Sequence, residues 1–391
     1  MNIVFFAHPV FLGHQSMPRY AKQLADEMQL RGHDVEIWAP KAYFFNFSRS
    51  KLLGKWLGYI DQYILFPHEV RNRLKSCHSN TLFVFTDQAL GPWVPLVKDR
   101  LHVIHCHDFL ALRSALGEIP ENTTGWSGRV YQKLIRHGFT KGRNFISVSK
   151  RTREDLHRFL YSKPILSEVV YNGLNQNFQP TDCQQTRLII GSRIKIDLSK
   201  GYLLHVGGNQ FYKNRMGVIE MYTAWRSTNK STLPLLLIGE ALSLQLLKAH
   251  QHNLYKADIH FLSGIEDEYV RAAYAGATVF LFPSLAEGFG WPIAEAMASG
   301  CPVITTNEAP MTEVAGKAGF LIPRRPSKNT EIMAWSFEAA KVITKIIDFT
   351  PTERNRAIEA GIENAKRFNT KNAMDQIEMI YQNILKESKF R

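Results

Sequence analysis

The sequence predicts two successive α/β domains, each built on a parallel sheet. Three observations carry this. The chain has 391 residues, long enough for two domains with a full core each. Short apolar runs alternate with amphipathic stretches, and the series begins twice, at Asn2 and again at Tyr202. The stretch Pro283–Gly300 then brackets a Gly-rich turn with two carboxylates, Glu287 and Glu295, and feeds straight into a short helix. Pro292 suits the first helical position, where a missing N–H costs nothing. Gly300 suits the residue just past the end, where a left-handed backbone is wanted. Gly288 and Gly290 let backbone approach a ligand, and the amides of the helix start form an anion site. Amides for phosphate with carboxylates for hydroxyls would fit a phosphorylated sugar.

The composition, 45% hydrophobic and 21% charged, is that of a globular chain and excludes extended disorder. Cys77, Cys106, Cys183 and Cys301 are scattered without paired spacing, so reduced thiols and a cytoplasmic home are expected. No apolar run approaches the roughly 20 residues that span a bilayer. Met1–Pro9 reads as a first strand rather than a leader. Net charge is +13, and residues 129–158 hold nine Lys/Arg against two acids, a surplus of +7. Such a patch suits nucleic acid, anionic lipid or a phosphorylated substrate, or is simply a solvated helix face.

In chain order, residues 2–7 read as a buried strand and 18–31 as a helix with Tyr20, Leu24, Met28 and Leu30 on one side, ended by Gly32. Asp34–Ala39 completes a parallel βαβ unit. Its first loop, Pro9–Pro18 with Gly13, His14, Gln15 and Ser16, falls at the carboxyl edge of the sheet, where ligands bind in such folds. Segment 41–66 is aromatic and basic, with Lys41, Arg49, Lys51 and Lys55 beside Tyr43, Phe44, Phe45 and Phe47. Within it Leu52, Leu53, Trp56, Leu57, Ile60, Tyr63 and Ile64 make a helical stripe, which either packs on its own domain or meets a membrane. Strands are expected at Thr81–Thr86 and Leu101–Cys106. The second runs into His105-Cys106-His107-Asp108, where alternation is expected to leave one histidine, His107, toward a ligand, with a metal less favoured. Residues 127–143 form a helix with a basic stripe of Arg129, Lys133 and Arg136. A strand at Asn144–Ser149, a helix at Arg151–Leu160 and a strand at Val169–Tyr171 follow.

The pattern weakens between Gln176 and Lys200, so the domain boundary is expected there. The second series has strands at Tyr202–Val206, Leu235–Ile238, Ile259–Leu262, Val279–Phe282 and Val303–Thr305, with helices near 214–226, 242–251 and 267–274 between them. The tail 371–391 reads as one helix whose apolar side (Met374, Ile377, Ile380, Tyr381, Ile384, Leu385) needs a surface to cover.

Glu287 and Glu295, separated by seven residues, with Gly300-Cys301-Pro302-Val303-Ile304 and Glu313-Val314-Ala315-Gly316 after them, resemble the Glu-x7-Glu signature of the family-four retaining glycosyltransferases. Ser147-Val148-Ser149, Asn172-Gly173-Leu174 and Val206-Gly207 with Lys213-Asn214 occur in that family's order, so the resemblance covers nearly the whole chain. It implies the GT-B fold: two Rossmann-like domains facing a cleft, with the last helix crossing back. The expected limits are 1–184 for an acceptor-binding domain, 185–370 for a nucleotide-sugar domain and 371–391 for the returning helix. The resemblance gives Glu295 the ribose hydroxyls, Glu287 the donor-sugar hydroxyls, and the amides of Phe289, Gly290 and Trp291 the sugar or diphosphate. Lys213 neutralises the leaving diphosphate, His107 lies beside the donor sugar, and the Gly13 loop approaches phosphates and acceptor. Gly208, after Gly207, stands where many relatives have arginine, and Tyr212 precedes the lysine where others have one; Arg215 is the candidate second cation. The first loop has Gly13 alone in place of a Gly-Gly pair.

Paired carboxylates also serve glycoside hydrolysis, but one on a loop and one on a helix beside an anion site read as hydroxyl-binding groups. The chain has no Asp-x-Asp triplet, so no cofactor or metal is expected, with a UDP- or GDP-sugar as substrate. A saccharide or lipid-linked acceptor and peripheral contact with anionic membrane are the expected partners. Rival readings are an epimerase or phosphorylase on the same fold, or a nucleic-acid binder motivated by the charge; the last leaves Pro283–Gly300 unexplained.

Overall fold

The computed structural model describes residues 1–13, 16–47, 50–174 and 177–387. His14 and Gln15 of the first loop, Arg49, Gln176 and residues 388–391 lie outside the described residues, as do the side chains of Lys51 and Leu52. The chain forms two compact units. The first comprises Met1–Ile119, Thr123–Tyr171 and Lys371–Arg391, and the second Pro120–Asn122 and Asn172–Thr370.

The first unit holds β1 (Asn2–Phe6), β2 (Asp34–Trp38), β3 (Leu82–Phe85), β4 (His102–Cys106), β5 (Asn144–Ser147) and β6 (Leu166–Val169), all parallel in the order β2-β1-β3-β4-β5-β6. Strands β3 and β4 are buried along their whole length, as a parallel sheet covered on both faces requires. On one face Phe6 stacks on Phe85 at 4.6 Å between ring centroids, amid Trp38, Phe66 and Trp93. On the other, the Ser16–Leu30 helix buries Ala21, Leu24, Ala25 and Met28. Leu30, expected on that side, is exposed, because two residues beyond Met28 the helix has turned about 200°. The same face is covered by the Thr370–Glu387 helix through Met374, Ile377, Ile380, Tyr381 and Ile384. Glu378 pins it by accepting from Arg31 at 2.7 Å and contacting His33 at 2.9 Å. Strand β6 sits earlier than Val169–Tyr171, paired residue for residue with β5 from Asn144–Leu166 onward.

The second unit holds β7 (Leu203–Val206), β8 (Leu235–Ile238), β9 (Ile259–Leu262), β10 (Val279–Phe282), β11 (Val303–Thr306) and β12 (Phe320–Ile322), again all parallel, in the order β12-β11-β10-β7-β8-β9. Its core joins the Arg215–Thr228 helix (Val218, Tyr222, Trp225) to the Asn329–Ile347 helix (Trp335, Ala339, Ile343). The expected boundary after residue 184 falls inside a helix, Cys183–Ile194, started by Asp182 accepting from Gln184 and Gln185. The compact units divide at Tyr171 instead. Helix Cys183–Ile194 spreads its apolar residues around the axis, with Ile190 buried but Leu188 and Ile189 exposed, so no periodic stripe marks it.

Each sheet is doubly wound with one point where the strand order reverses: between β1 and β3 in the first unit, and between β7 and β10 in the second. Loops at the carboxyl ends of those strands diverge and leave a crevice for ligand. Among the described residues no helix is long and apolar enough to cross a membrane.

Candidate functional site

In the second unit the loops after β7 and β10 meet across the reversal point. The tight turn Phe211–Lys213 is followed by Asn214 in the left-handed conformation at φ 50°. Asn214 is buried and stitches the two loops together. Its side-chain oxygen caps the Arg215–Thr228 helix at Gly217 (3.2 Å), and its amide donates to the Pro283 carbonyl (2.8 Å). Leu285 N–H donates to the Tyr212 carbonyl at 2.8 Å. This brings Lys213 Nζ within 2.8 Å of Glu287 Oε1, an ion pair largely shielded from solvent. Ser284 Oγ donates to the same oxygen at 2.6 Å. The ammonium also lies 5.2 Å from the centre of the Phe282 ring.

Glu295 lies on the second turn of the Trp291–Ala298 helix, and Tyr274 donates to its Oε2 at 2.9 Å. Burial pushes its pKa up from 4.5 to about 7; the Tyr274 hydrogen bond and the Lys213 charge pull the other way without prevailing. Lys213 therefore acts on both glutamates at once. The helix begins at Trp291, which puts Pro292 at the second position rather than the first, and Gly290 precedes it at φ 105° with no side chain to cap the amides. Gly300 has φ 78°, as a residue past a helix end should. Phe289 is buried against Phe368 and Trp291, so its ring anchors the turn. Gly288 precedes it in the same turn.

Arg215 lies apart from the Lys213 pair. Its guanidinium is buried, with Nη1 donating to Asn209 Oδ1 (2.6 Å) and the Glu240 carbonyl (2.9 Å), while Nε and Nη2 have no hydrogen-bond partner among the described residues. It braces the walls of an open depression of about 600 Å³ lined by Gly207, Gly208, Gly239, Glu240 and Ser263. A Cβ on Gly208, where the resemblance puts arginine, would come within 2.8 Å of Glu240 Oε1 and 2.5 Å of Gln210 Oε1, so those two side-chain ends would have to move aside. A Cβ on Gly207 would meet His205 Nε2 at 2.9 Å. His205 is buried and donates through Nδ1 to the Leu281 carbonyl (2.8 Å), and burial lowers its pKa to about 3.

In the first unit the reversal point gathers His8, Asp87 and His107. His107 Nε2 donates to the Thr86 carbonyl at 2.9 Å, which leaves Nδ1 as the acceptor of a neutral ring. Burial lowers its pKa, with Asp87 opposing. Asp87 meets His8 Nε2 at 2.9 Å through Oδ2 and accepts from Ala89 N–H at 2.9 Å through Oδ1. Burial raises the Asp87 pKa, but the His8 hydrogen bond and the two imidazoles outweigh it, and the net shift is downward. His105 and His107, two residues apart, lie on the same side, with Tyr20 ring centroids at 5.9 and 4.6 Å; the expectation that alternation separates them was mistaken. Depth separates them. His105 is fully buried between Tyr20 (3.0 Å) and Tyr381 (2.7 Å), and burial lowers its pKa to about 3. Asp108 accepts from Leu110 N–H at 2.9 Å, a local turn bond. Gly13 ends a short turn at φ 75°, its N–H donating to the Val10 carbonyl at 3.0 Å.

Sequence reasoning missed His8, Asp87, Tyr20, Tyr274 and Ser284. Only Ser284 carried a signal, its place inside the Glu287 turn.

Both halves of the chain match known glycosyltransferase profiles. Residues 17–178 match the profile Glycosyltransferase Family 4, and residues 200–336 match Glycosyl transferases group 1. The chain pairs two glycosyltransferase domains. O-antigen chain mannosyltransferase B of Escherichia coli is 30% identical over 182 residues, 45% of this chain and 44% of that protein, so the match spans less than half of the relative. Among solved structures, sucrose-phosphate synthase from Thermosynechococcus elongatus superposes with a TM-score of 0.72 at 16% identity, covering 99% of this chain and 100% of that one. HepE of Anabaena in complex with UDP and glucose gives 0.69 at 18%, covering 98% and 100%. With these neighbours the fold is GT-B. The second profile spans both strands of its reversal point, β7 and β10, whereas the first begins after β1 and takes in only the β3 side.

Proposed function

We propose that this chain moves a sugar from a nucleoside-diphosphate sugar to a saccharide or lipid-linked acceptor, with retention of configuration, in polysaccharide or cell-envelope glycan assembly. The observation that carries the reading is the Lys213–Glu287 pair, with buried Glu295 within reach of the lysine's charge on the Trp291–Ala298 helix, whose start has no side-chain cap. The reaction breaks the bond from the anomeric carbon to the diphosphate and forms one to an acceptor hydroxyl on the same face. The hydroxyl proton passes to the departing phosphate oxygen. The main electrostatic demand is the charge left on the diphosphate, which Lys213 and the amides of Phe289, Gly290 and Trp291 meet without a metal or cofactor.

Glu287 binds donor-sugar hydroxyls, and its own pairing with Lys213 and Ser284 keeps it a binding group rather than a nucleophile. Glu295 accepts from the ribose hydroxyls, and Gly207, Gly208 and Gly13 let backbone approach. Arg215 acts by bracing the Asn209 and Glu240 walls. His107 offers a neutral imidazole acceptor to a sugar hydroxyl. A mannosyl donor is the first to try, since the relative from Escherichia coli is named a mannosyltransferase. UDP, bound in the HepE neighbour, and GDP are the nucleotides to compare. Work on a lipid-linked acceptor would place the protein at the inner face of the membrane.

The test is thermal. A nucleoside diphosphate should raise the melting midpoint, by mass action on the folded state, and Glu295→Ala should abolish the rise. Stabilisation by oligonucleotides and by no nucleoside diphosphate would overturn the reading.

A further inference from the structure

The aromatic-basic segment resolves into a surface whose outward side is apolar. Asp61, buried in a π-helical turn over Asp61–Leu65, accepts from three successive backbone amides, Tyr43 (3.2 Å), Phe44 (2.9 Å) and Phe45 (2.9 Å). That carboxylate fixes the Phe44–Phe47 turn. Phe45 points inward, its ring 4.8 Å from that of Phe11, and a Cβ on Gly58 would touch both rings at 3.4 Å. Tyr43, Phe44 and Phe47 point outward, Phe47 at 76% exposure. The adjoining Lys51–Ile60 helix turns Gly54 and Gly58 inward and Leu53 and Trp56 outward, Trp56 at 60% exposure, and Ile64 follows at 63%. This inverts the usual arrangement, in which the apolar side of a surface helix faces the core.

Rings link this helix to the next. Trp56 meets Tyr59 at 5.8 Å, Tyr59 stacks on Tyr131 at 5.9 Å, and the hydroxyls of Tyr63 and Tyr131 share a 2.7 Å hydrogen bond. On the Trp126–Phe139 helix, Trp126, Val130 and Leu134 form an exposed row at four-residue spacing, Trp126 at 80% exposure. They lie on the Tyr131 side, and Arg129 and Lys133 flank them on the other. Exposed aromatics held in a fixed backbone and rimmed by cations fit an interface between hydrocarbon and anionic headgroups.

We propose that the Phe44–Phe47 turn, the Lys51–Ile60 helix with its π-helical extension and the Trp126–Phe139 helix form one docking surface for an anionic lipid bilayer. The proposal deepens the reading of a lipid-linked acceptor and rests on it for its biological sense. The partner follows from charge: Lys55, Arg129 and Lys133 border the apolar side chains, inside and beside a region with a surplus of +7. Aromatic side chains enter the headgroup boundary while the cations meet lipid phosphates.

Flotation with phosphatidylglycerol–phosphatidylethanolamine vesicles, against phosphatidylcholine vesicles, tests this on the full chain. The unmodified protein should float with the anionic vesicles at low salt and less at high salt. The double variant Phe47→Ser/Trp56→Ser should bind about a hundredfold more weakly, roughly tenfold for each aromatic lost. Arg129→Glu/Lys133→Glu should lose about fivefold or more for each charge removed. All these side chains point outward, so unchanged melting midpoints would show that folding is intact. No flotation of the unmodified protein, or equal flotation of the aromatic variant, overturns the proposal. So does a dimer that the aromatic variant converts to monomers without a change in flotation, which would make a second copy the occupant. The nucleoside-diphosphate midpoint shift separates the two readings. Flotation without that shift leaves the bilayer surface standing and removes the transferase, whereas the shift without flotation does the reverse.

Discussion

The two units solve one topological problem with opposite electrostatics. In each, the loops flanking the strand reversal are joined by a side-chain pair: His8 with Asp87 in the first unit, at 2.9 Å, and Lys213 with Glu287 in the second, at 2.8 Å. The first surrounds its pair with imidazoles that burial holds neutral, His105 and His107. The second pairs a lysine with one carboxylate, Glu287, while its charge also acts on a buried one, Glu295, whose pKa burial raises to about 7. Neutral acceptors and donors suit sugar hydroxyls, whereas a fixed cation at a helix start suits a departing diphosphate. The strand orders also differ, so the similarity comes from where parallel strands diverge, whatever their order.

The comparison breaks most sharply at Lys213. Lys213→Ala should lower sugar transfer by about a hundredfold or more, the scale of losing one stabiliser of developing negative charge. His8→Ala, which removes one hydrogen bond to Asp87, should lower it by about tenfold or less. Equal losses in steady-state assays would erase the assignment of the diphosphate's charge to the second unit alone.

Glu295→Gln addresses stability. A carboxyl whose pKa is raised in the folded state favours folding while protonated, and that contribution disappears as pH climbs from 4.5 through about 7. The glutamine variant, which keeps an acceptor for Tyr274, should therefore be more stable than the unmodified protein above neutrality, by about 3 kcal/mol. Below pH 4.5 no such advantage remains. Urea unfolding at both ends of the range reads the difference, and a gain independent of pH would remove the buried-carboxyl account.

Asp87 should show the reverse sign. Its pKa is lowered in the folded state, so its stabilisation is complete above its ordinary value of 3.8 and vanishes as pH falls below it. Asp87→Asn should cost about 1–2 kcal/mol at neutral pH. The deficit should close in acid unfolding curves. A smaller effect is expected at Tyr381, whose hydroxyl satisfies His105 within the core. Tyr381→Phe should cost about 1 kcal/mol. A drop in transfer larger than the drop in stability would tie the last helix to His107 through His105 and Tyr20.

Much of this was legible in advance because parallel strands buried on both faces are continuous apolar runs. Phe83–Phe85, Leu235–Ile238 and Val279–Phe282 cannot be read otherwise. What escaped has a physical reason in each case. Strand β12 is three residues long, too short for a pattern. Cys183–Ile194 has no apolar stripe. The outward apolar side of Lys51–Ile60 carries the same spacing as a core-facing one, so spacing alone left packing and membrane contact open. At the site, Lys213, Glu287, Glu295 and His107 were named from the resemblance and local pattern. Asp87, His8 and Tyr274 were not, since each joins its partner across at least 21 residues of chain.

By itself the sequence determined two parallel α/β sheets and a carboxylate-bracketed turn leading into a helix, because burial and backbone chemistry there act over a few adjacent residues. Which ionisable groups meet, and in what state, the tertiary structure alone decided. Lys213 reaches Glu287 because Asn214 and Leu285 bind two distant loops together. Glu295 holds its proton near neutrality because the folded core removes it from water, a cost that no local run of residues displays.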